Sequence, residues 1–371
     1  MVIAGGGVLG TMHAVMARRR GFEVVQLERE AEARGASVRN FGLVWVSGRK
    51  GGPELSLALR ARELWADLGA QVPGLGFRAA GSLTLATSDA ELGLLKEAAA
   101  LPDAERRGFE LLDAAAVRAV NPALRGELAG GLHGRLDAIV EPRQVLPALR
   151  GYLAARGEGH GGYEWLPGRE VTEIAPNAVR DHTGAWHQCD LVILCPGAAH
   201  TGIAGRYLAR SGGVRRVRLQ MMQTEPLAER ITTALADGDS LRYYPAYDLP
   251  GRGQLPPQAA AAGRARAQLL LVQRADGGLT IGDTHEYAEP FAFDLDEDAY
   301  EHLRARAEAL LGAPIPPVRR RWAGVYSEVN PAMAGHALYH RAEVEPGVIL
   351  VTGPGGRGMT CSPAIAEETF A

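Results

Sequence analysis

The chain has 371 residues, of which 46% are hydrophobic and 22% charged, with a net charge of −3. This is the composition of a folded globular chain long enough for two domains, and no global positive field exists to recruit nucleic acid or an anionic membrane. No apolar run approaches the roughly 18 residues of a membrane span, and three scattered cysteines, Cys189, Cys195 and Cys361, rule out a disulfide framework or a zinc site and point to a reducing, cytoplasmic setting.

The N-terminus opens on Val2-Ile3-Ala4, a short apolar strand, followed by Gly5-Gly6-Gly7-Val8-Leu9-Gly10. The uncharged stretch 1–17 has the polarity opposite to a secretion signal, because Arg18, Arg19 and Arg20 follow it instead of preceding it. Val8, Leu9, Met12, Val15 and Met16 recur at helical spacing, Gly21 sits where a helix stops, and Phe22–Leu27 is β-rich and ends at Glu28. This is a βαβ unit with a GxGxxG turn. Gly5 permits the tight turn, Gly7 lets the backbone approach a pyrophosphate, and Gly10 lets helix and strand pack closely. The amides of Val8 and Leu9 open the helix and carry its partial positive charge. Glu28, 18 residues after Gly10, is placed to accept from ribose hydroxyls, with Arg29 beside it. A dinucleotide site follows.

Further along come Gly35-Ala36-Ser37-Val38-Arg39-Asn40-Phe41-Gly42 and the basic, glycine-containing loop Ser47-Gly48-Arg49-Lys50-Gly51-Gly52. Leu55, Leu59, Leu64 and Leu68 give helical periodicity from Pro53, and a second helix starts at Glu141-Pro142-Arg143 and runs through Leu149. Gly168-Arg169-Glu170-Val171-Thr172-Glu173-Ile174 reads as a strand. Gln188-Cys189-Asp190-Leu191-Val192-Ile193-Leu194-Cys195-Pro196-Gly197-Ala198 reads as a buried parallel strand ending in a turn. Arg215-Arg216-Val217-Arg218 alternates as a strand with a polar face, expected at the surface, and residues 249–267 are expected to form a long surface loop. The chain ends after Thr352-Gly353-Pro354-Gly355-Gly356-Arg357-Gly358-Met359-Thr360, a second glycine-rich turn running into a helix.

The loop 35–42, the strand at Val171, the strand and turn 188–198 and the C-terminal glycine turn, in that order, resemble the D-amino-acid oxidase-like superfamily of flavoproteins. The resemblance spans almost the whole chain, and it implies FAD in place of NAD, since an NAD enzyme needs only the first motif. It also implies the fold: an α/β, glutathione-reductase-type Rossmann-like FAD domain interleaved with a smaller α+β substrate domain. The expected division is 1–70, 138–212 and 320–371 for the first and 71–137 and 213–319 for the second. The implied FAD contacts, beyond Gly5, Gly7, Val8, Leu9, Gly10, Glu28 and Arg29, are Ser37, Arg39, Asn40, Gly42, Val171, Cys195, Gly197, Gly353, Gly355, Gly356, Gly358, Met359 and Thr360.

The blocks Leu219–Thr224, Leu279–Tyr287 and Arg321–Tyr326 resemble one bacterial group of this superfamily linked to phosphonate catabolism. That likeness implies oxidation of a small amine at its C–N bond, with an aminophosphonate such as 2-aminoethylphosphonate or its N-methyl form as substrate. The product imine hydrolyses to an aldehyde or keto acid. Flavin carries that chemistry, so no metal or nucleophilic triad is required. The catalytic candidates are Gly356 and Arg357, whose turn and following helix start can stabilise negative charge on the flavin, together with His285 and Tyr326. Arg49, Lys50, Arg321 and Tyr326 are candidates for the substrate and its anionic group. Amino-acid oxidases of the superfamily carry an arginine in the stretch where Gly324-Val325-Tyr326-Ser327 stands, and sarcosine oxidase-like relatives a lysine where Thr280 stands. The electron acceptor, O2 or another, is therefore open. Two further readings stay open: a sarcosine-, glycine- or D-amino-acid-type oxidase, and a non-catalytic FAD-binding accessory protein.

Overall fold

A computed structural model describes residues 1–155, 162–211, 213–332, 335 and 337–371. Two sheets organise it. The first has six strands in the order His340–Glu345, Val348–Thr352, Val192–Leu194, Val2–Ala4, Val24–Glu28 and Tyr163–Pro167. All its pairings are parallel except the hairpin His340–Glu345 with Val348–Thr352. Its inner strands are largely apolar on both faces because both are covered, with Gln26 a buried polar side chain among them. The helices Val8–Arg19, Pro53–Gln71, Pro142–Ala155 and Gly358–Thr369 pack together on one side around Met12, Trp65, Leu146 and Ile365. On the other side the small antiparallel sheet Val171–Ala175, Ala178–Asp181, Trp186–Gln188 and the helix Gly202–Ser211 enclose Val2, Leu27, Val179 and Ile203. This is the Rossmann-like half of the α/β fold.

The second sheet has eight strands: Val318–Val329, Val214–Pro226, Gly278–Gly282, Leu270–Gln273, Ala234–Ala236, Ser82–Ala86, Gly130–Gly134 and Phe109–Leu112. Neighbours are antiparallel except Ala234–Ala236 with Ser82–Ala86. Strand alternation sorts its side chains. Met222, Leu279 and Ile281 meet Tyr300, Leu303 and Ala307 of the helix Glu297–Leu311. Leu219, Met221 and Leu270 face the other way, toward Trp45, Tyr244 and Tyr326. The sheet therefore has one wall sealed by a helix and one turned to the first domain.

Two expectations change. The domain boundary expected at 319/320 falls inside Val318–Val329, which pairs with Val214–Pro226 along its length, so the chain leaves the larger sheet only after Val329. The boundary expected after residue 212 lies outside the described residues. Residues 249–267 are not a bare loop: they form the 3-10 turn Pro250–Gln254 and the helix Ala260–Ala265, with Leu255, Ala262 and Ala267 buried. Among the described residues no helix is long and apolar enough to cross a membrane.

Candidate active site

One continuous cavity of about 1040 Å³ runs between the two sheets. It lies at the upper end of the roughly 300–1,000 Å³ usual for small-molecule sites. Glu28, Arg29 and Val171 line one end, Gly5, Gly7, Val8 and Leu9 the middle, and Tyr243, His285, Tyr326 and Gly356 the other.

The glycine turn is built on two close approaches. A Cβ on Gly5, whose φ is +124°, would lie 2.3 Å from the Cys195 carbonyl oxygen, and one on Gly10 would lie 2.0 Å from that of Gly5. Gly10 thus locks helix to strand without itself reaching the cavity. The helix Val8–Arg19 has no acid in its first turn, and the Val8 amide donates to Ser37 Oγ at 2.9 Å. Glu28 accepts from the Gly6 amide at 2.7 Å and from the Glu30 amide at 3.0 Å, so its carboxylate is fixed at the mouth of the turn. Gln26 braces the turn from beneath, donating to the Gly5 carbonyl at 2.9 Å. This amide-rich cradle, which added Cβ atoms at Gly5 and Gly10 would destroy, fits the pyrophosphate and ribose of FAD.

Ser37, Arg39 and Asn40 line the same cavity. Arg39 donates to the Ala323 carbonyl at 2.8 Å, tying the loop to the larger sheet. Asn40 is spent on the loop itself: its amide donates to Ala36 and Ser37 carbonyls, and its Oδ1 accepts from Gly42 at 2.6 Å. Gly42 does not line the cavity. Its φ is +68°, and a Cβ would lie 2.1 Å from the Val140 carbonyl. Cys195 and Gly197 line the cavity wall, and burial pushes the Cys195 thiol up, leaving it inert. At the C-terminal turn Gly353 is behind the wall, whereas Gly355, Gly356, Arg357, Gly358, Met359 and Thr360 form it, at the start of the helix Gly358–Thr369.

Buried Arg49 and Glu54 and half-buried Arg357 form a cluster on the wall. Arg357 Nε donates to Glu54 Oε1 at 2.8 Å, and Arg49 Nη1 lies 3.8 Å from the same oxygen. Arg49 also donates through Nε to the Trp45 carbonyl at 2.9 Å and through Nη2 to Thr360 Oγ1 at 3.4 Å. Its loop is held from behind. The buried Asp137 carboxylate accepts from the Val46 and Ser47 amides and from the Ser47 and Ser82 hydroxyls, and Arg107 donates to the Ser47 and Arg49 carbonyls.

His285 and Tyr326 are buried and line the cavity. The His285 ring stacks on Tyr243 with centroids 4.2 Å apart, and its Nδ1 lies 3.1 Å from the Arg266 carbonyl. The Tyr326 hydroxyl lies 3.4 Å from that of Tyr243, and burial with the neighbouring phenol pushes it well above the usual phenol range.

Four residues sit where sequence patterns did not place them. Lys50 is exposed and outside the cavity, because the turn that buries Arg49 carries its successor into solvent. Arg321 is also outside. It is an odd number of positions from Tyr326, so strand alternation turns it onto the helix face, where it pairs with Glu297 at 3.3 Å over the Tyr300 ring. Arg215 and Arg216, expected at the surface, line the cavity, Arg215 bonded to Glu328 at 2.7 Å and lying over the Tyr287 ring at 4.3 Å. Thr280 opens instead onto a separate cavity of about 140 Å³ beside Arg274 and Glu141.

No motif marks Tyr243, Tyr244 or Gln268, all on the wall, and Asp283, also on the wall, lies in the block Leu279–Tyr287, whose candidate is His285 and not the acid. Asp283 and His285 share a polar run directly after the apolar strand Gly278–Gly282, a signal that was present in the chain.

The family model described as FAD dependent oxidoreductase (DAO) matches residues 1–371. The ThiO thiamine biosynthesis oxidoreductase of Rhizobium etli is 30% identical over 232 residues, 61% of this chain and 60% of that protein. A component of the opine oxidase of Rhizobium meliloti is 27% identical over 177 residues, 43% of this chain and 46% of its own length. The chain thus aligns with less than two thirds of either relative. Among solved structures, glycine oxidase from Bacillus cereus superposes with a TM-score of 0.76 at 19% identity, covering 99% of this chain and 92% of that one, which shows the shared fold. With the glycine cradle, the fixed Glu28 and a family match from the first residue to the last, the chain belongs to the DAO family of FAD-dependent oxidoreductases.

Proposed function

We propose that the chain oxidises the C–N bond of a small amine that bears an acidic group, with an aminophosphonate such as 2-aminoethylphosphonate or its N-methyl form as the leading substrate. One observation carries the acidic group: Arg49 is 4% exposed, yet lies on the cavity wall and, among the described residues, has two of its five N–H donors hydrogen-bonded, with Nη1 3.8 Å from Glu54. A buried guanidinium with free donors is suited to a phosphonate or carboxylate. Arg357, across Glu54, leaves the Arg49–Glu54–Arg357 cluster with one positive charge in excess, which favours an anion. That two relatives are named for glycine oxidation and opine oxidation supports the amine.

FAD, when bound, supplies the two-electron acceptor for the carbon next to nitrogen. The residues then divide the work. Gly7 and Leu9 offer backbone amides to the pyrophosphate, Gly5 and Val8 shape the turn with amides bonded to the Leu27 carbonyl and Ser37 Oγ, and Glu28 accepts from the ribose. The Gly355–Arg357 turn and the helix start behind it present positive dipole ends to the ring. Arg49 holds the acid, Tyr326 and Tyr243 offer hydroxyls at the same end, and the apolar faces of Leu219, Met221 and Leu270 keep water out.

A second reading, oxidation of glycine, sarcosine or a D-amino acid, is favoured by the Tyr243–Tyr326 hydroxyl pair, which can donate to a single carboxylate. The test is an anaerobic titration of the purified flavoprotein with aminophosphonates and amino acids. Bleaching of the oxidised-flavin band by aminophosphonates alone is expected. Bleaching by amino acids alone overturns the phosphonate and leaves the second reading. A flavin that no amine reduces returns the protein to a non-catalytic, FAD-binding role.

A further inference from the structure

Charge pairing at the substrate end of the cavity leaves one acid over. Arg49 and Arg357 share Glu54, Arg215 holds Glu328 and Arg216 holds Glu289. Asp283 lines the same cavity, its side chain 8% exposed, and among the described residues it has no arginine or lysine partner. Its Oδ1 accepts from Gln268 Nε2 at 3.1 Å. Its Oδ2 accepts no hydrogen bond from another described side chain, and the nearest basic atom is His285 Nε2 at 4.0 Å. Gln268 is itself buried and its segment pairs with Asp283 through both backbone groups, Gln268 N to Asp283 O and Asp283 N to Gln268 O, so the carboxylate is held rigidly.

A buried carboxylate without a cation is costly, and burial accordingly pushes Asp283 above the usual carboxylate range. The surroundings are aromatic. Tyr243 stacks on His285, Tyr287 lies 6.4 Å beyond the same imidazole, and Tyr244 adjoins Tyr243 at 5.1 Å. The Tyr287 ring is already covered by Arg215 and Arg266, but Tyr243 and Tyr244 remain beside the acid, and aromatic rings next to a carboxylate suit a small ammonium group and tolerate methyl groups on it.

We infer that Asp283, steadied by Gln268, receives the positively charged amine of the substrate, and that the site takes primary or N-methylated ammonium compounds whose acid end lies on Arg49. The inference rests on the amine-oxidation reading above and adds to it the group that selects the nitrogen. Substrate binding brings a cation to Oδ2 and an anion to Arg49, so a zwitterion completes both halves of the cavity at once. A neutral or purely anionic compound of the same size satisfies only one. Asp283 touches the substrate in this arrangement; Gln268 is a positioning residue that acts through it.

The experiment compares each amine with its twin lacking the nitrogen: 2-aminoethylphosphonate with ethylphosphonate, and glycine with acetate. The half-saturating concentration for anaerobic flavin reduction reads the amine, and competitive inhibition of that reduction reads the twin. Asp283→Asn is expected to raise the first by tenfold or more and to leave the second within twofold. Equal shifts for both, or no shift for either, overturn the inference. If Asp283→Asn purifies without flavin, Asp283→Glu takes its place, with the same selective loss expected and an unselective loss overturning it. Should glycine alone reduce the wild-type flavin, the phosphonate assignment falls and the Asp283 inference is read from the glycine and acetate pair. A wild-type flavin reduced by no amine overturns both.

Discussion

Replacing Glu28 by alanine tests the cofactor assignment most directly. Its carboxylate makes two charged hydrogen bonds within the protein, to the Gly6 amide at 2.7 Å and the Glu30 amide at 3.0 Å, and keeps further lone pairs directed into the cavity. A hydrogen bond to a charged group is worth about 1.5–3 kcal/mol. One such bond to a ribose hydroxyl, at about 1.4 kcal/mol per decade, corresponds to a roughly 10- to 100-fold weaker FAD complex. Loss of the Gly6 contact loosens the turn as well, so the weakening should fall toward the upper end. Glu28→Gln keeps an acceptor for Gly6 but gives up the charge, and should fall between wild type and alanine. The assay is fluorescence titration of apoprotein with FAD, with circular dichroism of each apoprotein to confirm that the fold is unchanged. Affinities within twofold of wild type for both variants would refute the placement of the ribose at this acid.

Further outcomes follow from other parts of the site. Gly10→Ala brings a Cβ to 2.0 Å from the Gly5 carbonyl, so helix and strand must separate, and the variant should purify with little flavin; a normal visible spectrum would contradict this. Arg49→Gln should raise the KM of acid-bearing amines at least tenfold while flavin content holds, and unchanged KM values would remove Arg49 from the substrate site. His285→Ala should lower the rate of flavin reduction more than it lowers flavin content, because it removes the ring that stacks on Tyr243; an unchanged rate would make that histidine purely structural. His13 predicts a pH effect. Burial lowers its imidazole from 6.5 to about 4, with Nδ1 2.7 Å from the Leu9 carbonyl and Nε2 3.0 Å from Thr369 Oγ1. The unfolded state therefore takes up the proton first. The stability held by neutral His13 is complete above pH 6.5 and is lost as the pH falls toward 4, by roughly 3 kcal/mol over that span. Melting temperatures of wild type and His13→Gln between those pH values check this: the wild type should lose more stability than the variant across the interval, and parallel curves would refute it.

The parts of this molecule that are written locally were legible in the chain. The GxGxxG turn, the helix from Val8 and the strand ending at Glu28 lie within 27 consecutive positions from Val2, and each constrains its neighbour through sterics that act over one turn. Helix starts at Pro53 and Pro142 announce themselves in the same way. The substrate end is different. Trp45, Tyr244, Gln268, Asp283 and Tyr326 converge from five separate segments, and only the pairing of eight strands decides which side chain turns to the cavity. A basic residue in a plausible motif is then an unreliable guide. Arg321 is lost to the opposite face by an odd offset within one strand, Lys50 by one step past a buried neighbour, while Arg215 is gained because Glu328 on the paired strand holds it in place. Asp283 shows the converse. Its neighbours in sequence suggest only a polar end to a strand, and its meaning comes from a balance of charge around the substrate end, where Arg49, Arg215, Arg216 and Arg357 have each found an acid and, among the described residues, one acid has found no arginine. A group in that position has a free energy deficit that a cationic ligand can offset, and this is a property of the assembled site that no local pattern encodes.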